Sequence, residues 1–367
     1  KASGRVDGEN AQKLLKALAS VRSLGAGTGS IVDVADRATV VAGRLIVLEG
    51  QVGVVSAGLI DARQANLEVY GHDGDINLYA NNDAGTKTGR VLADNASLVT
   101  DGSIYAGNAD NEIGGVGRVK YNAEGGTLDL NLGDIQSGFG GVVTPFDAAK
   151  SGVYNAIDGT ILIVGDVSMP EDVYFISNYG DVIVMEGCTV KASGDGAYLY
   201  LSAGKDVVVS GNAISGGHAV LDALGNVKVN GSVAANGESG ILLVGSSSAP
   251  IGGSVAINGR AEAAQAAVYT QGGADLSGGV KAGIVSVDAV GDVDLGNVTA
   301  TKRYLQDLGM APDGTPVQCW NSVDVLSRSG NVRVLEGKTV DVMREGGAVF
   351  LTADSGTVTV DGAVRTV

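Results

Sequence analysis

The chain predicts an all-β fold: a right-handed parallel β-helix (β-solenoid) with a short N-terminal helix and side-loop insertions. Three observations carry that expectation. Glycine supplies 58 of 367 residues, roughly one in six against about 7% in ordinary proteins. Hydrophobic residues reach 44% while aromatics stay at 4%, so the apolar content is mainly Val, Ala, Leu and Ile. A short alternating motif also recurs along the chain. Collagen would need glycine at every third position, and disorder would need low hydrophobicity; neither holds here.

Taken in chain order, residues 1–29 stand apart as an N-terminal helix, cap or linker. Within them Glu9 to Val21 places Leu14, Leu15, Leu18 and Val21 on one helical stripe, with Asp7 upstream as a cap. Such a helix would block the open strand edges at a solenoid end. The chain starts at Lys1 without Met, and it reads as a piece of a longer protein. Residues 30–367 are expected to form the β-solenoid.

Between 30 and 160 the repeat is weak, as in Ile31-Val32-Asp33-Val34, Ala65-Asn66-Leu67-Glu68-Val69, Gly102-Ser103-Ile104-Tyr105-Ala106 and Thr127-Leu128-Asp129-Leu130. From 160 to 367 it is clear and has three parts. The first is Gly-Asp/Asn-apolar-x-apolar: Gly180-Asp181-Val182-Ile183-Val184, Gly225-Asn226-Val227-Lys228-Val229 and Gly330-Asn331-Val332-Arg333-Val334. The second follows closely, as in Gly231-Ser232-Val233-Ala234-Ala235, and the third precedes the next glycine, as in Leu221-Asp222-Ala223. Asp181, Asp206 and Asn226 mark three successive copies. The largest steps are expected to skip degenerate copies, such as the one at Asp275-Leu276. Each part is a strand too short to hold itself together, whose alternate side chains face one side. Stacked coils pair each strand with its counterparts above and below, with Gly and Asn at the corners. The narrow bore then accounts for the lack of aromatics.

Two segments break the pattern. The insertion at 301–322 contains Tyr304-Leu305-Gln306-Asp307-Leu308-Gly309, read as a helical turn or two, then Pro312, Pro316 and Trp320. It is expected to pack as a side loop, as is the weaker case at Gly138–Tyr154.

The stretch Ala219-Val220-Leu221-Asp222-Ala223-Leu224-Gly225-Asn226-Val227-Lys228-Val229-Asn230-Gly231 resembles the repeats of filamentous-haemagglutinin-like adhesins, large secreted exoproteins of bacteria. The resemblance spans over half of the chain and does not include an Asn-Pro-Asn-Gly stretch. It implies a non-enzymatic extracellular protein at the bacterial cell surface, a rigid rod presenting binding surfaces to host or neighbouring-cell glycan or protein. A self-assembling subunit of a filament, sheath or surface layer, with copies of itself as partner, is the alternative. A polysaccharide-active β-helix enzyme is the second.

Charge and chemistry narrow these readings. Lys and Arg number 25 against 41 Asp and Glu, a net of −16, which phosphate backbones would repel, so nucleic acid is not an expected partner. Apolar runs such as Ile161–Val164 fall far short of the ~20 residues a membrane helix needs, so no membrane insertion is expected. Glycan cleavage would need a carboxylate pair or a metal-binding acid cluster. The acids are instead spread as turn residues, so no catalytic residue, no metal site and no cofactor is expected. Asp73-Gly74-Asp75, Asn81-Asn82-Asp83 and Asn108-Ala109-Asp110-Asn111-Glu112 offer oxygen ligands for Ca²⁺, but fit neither an EF-hand nor the nonapeptide repeat and read as solvated turns. Cys188 and Cys319 lie far apart along the chain and read as idle thiols, several coils too distant for a disulfide. The binding candidates are aromatic. With Leu199, Leu201 and Ala203 facing inward, Tyr198 and Tyr200 face out. Phe175 is expected on the same outer column, and Phe350 at the equivalent place further along.

Overall fold

In a computed structural model the structure describes residues 18–23, 31–35, 38–51, 53–56, 58–78, 90–100, 102–106, 112–113, 119–123, 127–132, 135–137, 143–145, 150–156, 159–310 and 316–367. They form an all-β, parallel β-solenoid. The chain divides into two compact units, residues 1–179 and 180–367.

Unit 2 displays the repeat most plainly. One coil runs through Val182–Val184, Thr189–Ala192 and Tyr198–Ala203. Each strand pairs in parallel with the same strand of the next coil. In the first column the residues Val182, Val207, Val227, Val255, Ala274, Val293, Val332 and Val358 stack in register. The strand alternation is strict: Val207–Val209 and His218–Ala223 are buried at every second residue. Burying one such Val contributes about 1.5–3 kcal/mol, so the interior is a stack of small, equal contributions. The degenerate copy at Ala274–Leu276 takes its place in that stack. The long step from Asp292 to Asn331 skips no copy, since the two are in contact on successive coils; it contains the insertion.

The corners explain the glycine. Gly187 adopts φ +81°, with nothing within 4 Å of a Cβ built there; its need is conformational. At Gly231 the need is steric, since a Cβ would lie 1.9 Å from the Gly211 carbonyl oxygen. Stacked coils touch there backbone to backbone.

Unit 1 stacks in the same way with less regularity. Val32, Val54, Ile76 and Ile104 form one inward column, and its backbone register continues through Leu128, Gly152 and Val173. Residues Ala65–Val69 lie in the other sheet, inside Leu59–Gly71, between Leu45–Gly50 and Arg90–Thr100. Tyr154, expected at the end of a side loop, belongs instead to the stacked strand Ser151–Ala156.

Three further expectations are corrected. First, the helix drawn over Glu9–Val21 does not extend to its end. Leu18–Ser23 is a strand in parallel register with Leu45–Gly50, because a sheet edge satisfies its backbone groups and overrides helical propensity. The rest of that segment, with Leu14, Leu15 and the Asp7 cap, lies outside the described residues. Second, Tyr304–Met310 is not helical. It runs antiparallel to Pro316–Ser327 as a hairpin, because the latter strand projects beyond its coil and its free backbone groups take a partner. A helix of two turns would be marginal by comparison.

Third, Phe175 faces inward. Val173, Phe175 and Ser177 are the buried positions of Val173–Ser177, so the alternation is offset by one residue from the alignment that put Phe175 outside. Phe175 is 0% exposed and stacks on Tyr154, with ring centroids 4.4 Å apart and planes at 14°. The narrow bore makes room through Gly152, where a Cβ would meet Met169 Sδ at 2.7 Å and Tyr154 Cε2 at 2.9 Å.

Candidate contact surface

Acids come first, since they decide whether chemistry or display is in question. The Asx of each Gly-Asp-Val turn points along the stack. Asp181 Oδ1 accepts the Asp206 N–H at 3.0 Å, and Asp206 Oδ1 accepts the Asn226 N–H at 2.6 Å and its Nδ2 at 3.1 Å. Asn226 Oδ1 then accepts the Ser254 N–H at 2.9 Å. Asp292 and Asn331 repeat the arrangement toward Asn331 and Thr357. These side chains cap the turn of the following coil rather than their own.

A second ladder is buried. Ser215 Oγ donates to the Ala197 carbonyl at 2.5 Å and accepts the Gly217 N–H at 3.1 Å. Thr270 does the same with Gly253 and Gly272, and Ser327 with Gly291 and Gly330. A hydroxyl two or three residues before a glycine is therefore a coil-to-coil clip. That spacing stands in the sequence, and composition-based reasoning missed it.

Among the described residues no group of three or more His, Cys, Asp and Glu gathers as a metal site. Of the loops with oxygen ligands, Asp73-Gly74-Asp75 is spoken for: Gln51 donates to Asp73 at 2.5 Å and the Ser103 N–H to Asp75 at 2.8 Å. Asn81-Asn82-Asp83 and Asn108–Asn111 lie outside the described residues. His72 meets Glu49 at 3.0 Å, and Glu49 also holds Arg22 at 3.0 Å. His218 Nδ1 accepts the Ile241 N–H at 3.2 Å. Cys188 is buried, its Sγ 4.0 Å from the Glu186 carbonyl oxygen; the side chain of Cys319 lies outside the described residues.

The outer face of the long-strand column in unit 2 carries the remaining aromatics. Tyr200 is in register with Val220, then Leu243, Ala267, Ser286, Asp324 and Phe350. Tyr200 and Phe350 thus share one outer column, six rungs apart, and Phe175 leaves it. Tyr198 begins the neighbouring column, 43% exposed, with its ring against His218 at 4.8 Å between centroids. Tyr200 is half-buried and its hydroxyl donates to Asp222 at 3.3 Å; burial first, and then the Asp222 charge, raise its pKa against a lowering by Ser202. Tyr198, Tyr200, Val220 and Leu243 form a patch on consecutive rungs, with strands ~4.8 Å apart. Trp320 of the hairpin is also exposed at 43%, with the Arg303 guanidinium 4.5 Å from its ring centroid.

Among the described residues a cleft interrupts this face. Ala223 reaches Val227 in four residues, whereas Val244 takes eleven to reach Val255, and the extra length stands out as a Ser246–Pro250 loop. Beside it a cavity of about 270 Å³ is lined by Ser246, Ser247, Tyr269, Gln271, Asp288 and Arg328, among others. Compared with known proteins, the chain matches no protein-family model, no curated protein and no solved structure.

Proposed function

We propose that this protein is a non-enzymatic extracellular β-solenoid of a bacterial surface, a stiff support that presents a contact face to glycan or protein, as adhesins of the filamentous-haemagglutinin kind do. The observation that carries this reading is the outer patch of Tyr198, Tyr200, Val220 and Leu243, held in register on consecutive coils. One exposed and three half-buried apolar side chains aligned this way make a surface suited to contact. The engagement of Asp181, Asp206 and Asp292 as acceptors for the next coil's backbone favours display over acid–base chemistry.

The test is adhesion of the purified chain to glycan arrays and bacterial or host cells. Wild type should bind, and the Tyr198→Ser/Tyr200→Ser double variant should lose about ten-fold in apparent affinity. Ordered polymers in electron micrographs of the free protein would favour lateral self-association through the same patch. Turnover in a reducing-sugar or lyase assay on acidic polysaccharides would overturn the non-enzymatic reading.

A further inference from the structure

The cleft beside the Ser246–Pro250 loop differs in kind from the rest of this face. Along the corners of unit 2 the Asx and hydroxyl ladders spend polar side chains on their neighbours in the stack. Here several converge on one open space. The loop is rigid: Gly245 turns at φ +66°, Ser246 N–H donates to the Ala249 carbonyl at 2.9 Å, and Ser246 Oγ accepts the Ala249 N–H at 2.9 Å. It forms one wall. Tyr269 and Asp288 are register partners on adjacent rungs and form the floor. Arg328 closes the far side, reaching back to Asp288 with Nε–Oδ1 2.9 Å and Nη2–Oδ2 2.6 Å. The side chains of Ser247, Tyr269 and Gln271 make no hydrogen bond with the described residues and line the cavity.

We infer that this cleft binds one pyranose ring of a neutral glycan, an assignment that rests on the display reading and gives it a specific site. Three features select that chemistry. A half-buried tyrosine ring offers a flat apolar platform with a polar tip, suited to the C–H face of a sugar. A bidentate carboxylate–guanidinium pair sets acceptors and donors side by side, matching vicinal hydroxyls that both donate and accept. The volume of about 270 Å³ sits just below the range of drug-sized sites, about 300–1,000 Å³, which suits a single ring. The charge balance selects neutrality: Arg328 is already paired with Asp288, Asp354 adds a further negative charge nearby, and the chain carries −16 overall. No surplus cation remains for an acidic sugar.

The experiment is saturation-transfer NMR on the full chain with methyl glycosides of glucose, galactose, mannose and N-acetylglucosamine, and with methyl glucuronoside as the anionic comparison. At least one neutral glycoside should receive saturation and glucuronoside should not. Tyr269→Ala and Arg328→Leu should each weaken binding about ten-fold, with the fold checked by circular dichroism. Tyr179→Ala, at a 69% exposed position in unit 1, should leave binding unchanged and serves as the control. Gln271→Ala, which cannot disturb the core, should weaken it by a smaller factor. Binding of no neutral glycoside, preference for glucuronoside, or binding untouched by Tyr269→Ala would overturn the assignment. Adhesion that persists in Tyr269→Ala would remove the cleft and leave the display reading standing. Glycoside binding in a chain that adheres to nothing would leave the cleft and remove the display reading.

Discussion

Unit 1 and unit 2 fill the same kind of bore with different side chains. Around Tyr154–Phe175 unit 1 uses two stacked rings, opposed by Gly152 and Met169, and its register shifts between Ala62 and Asn66. Unit 2 repeats one valine per rung through its first column, Ala274 excepted, and keeps Asx and hydroxyl ladders along its corners. The difference teaches that a ladder needs corners that recur on the next coil, whatever length of chain lies between them. A side chain can cap the next turn only if that turn recurs one strand spacing away, and unit 2 supplies this both in a short coil, as from Asp206 to Asn226, and in the long one that carries the insertion, from Asp292 to Asn331. Unit 1 has both devices, with Asp75 accepting the Ser103 N–H at 2.8 Å and Thr100 Oγ1 accepting the Gly102 N–H at 3.1 Å, beside discrete partners such as Arg22–Glu49–His72. Exposed pairs of that kind contribute little, about 0–1 kcal/mol.

The contrast can be broken most severely at the buried ring stacked on Tyr154. Phe175→Ala should cost about 3–5 kcal/mol in urea denaturation, because Gly152 leaves nothing to refill the space; a cost comparable to a surface substitution would mean that the ring is not core. Gly231→Ala should come next, at about 1–3 kcal/mol, since the new methyl meets the Gly211 carbonyl and backbone must move. Gly187→Asn is the matched comparison: nothing crowds that site, and Asn tolerates its left-handed φ, so its melting temperature should stay close to wild type.

A smaller effect tests the ladder. Asp206→Ala should cost about 1 kcal/mol, while Asp195→Ala, at an exposed position with no such acceptor role, should be close to neutral by the same denaturation measurement.

The smallest effect concerns charge and pH. Burial raises the Asp294 pKa, and Asp275 and Asp292 raise it further against the lowering by Arg333. A folded pKa above the unfolded value means that the folded state holds the proton more tightly, so ionisation of Asp294 opposes folding at neutral pH. That penalty is relieved as pH falls through the raised folded value and toward the ordinary 3.8. Asp294→Asn should therefore raise the melting temperature slightly at pH 7, with the gain fading on acidification. A gain that grew on acidification would contradict the sign.

Much of the solenoid was legible because its cause is periodic. Gly-Asp-Val-x-Val, recurring once per coil, states strand, corner and stack at once, and the inward valines of unit 2 follow from alternation alone. Phe175 departs from its expected outward place because alternation has two phases and Val173-Tyr174-Phe175-Ile176 is apolar on both; the decision belongs to Gly152 and Tyr154, on the preceding coil. The 304–310 segment carries a helical spacing, and only the unpaired edge of Pro316–Ser327 makes it a strand. Of the outer face, Tyr198, Tyr200 and Phe350 could be read off the chain, whereas Tyr269, Asp288 and Arg328 could not. They are scattered along the chain and meet only because successive coils stack. Sequence by itself determined the repeating coil and its narrow interior, since those depend on near neighbours along the chain. Tertiary structure alone decided the phase of unit 1, the hairpin and the cleft, because each depends on what one coil presents to the next.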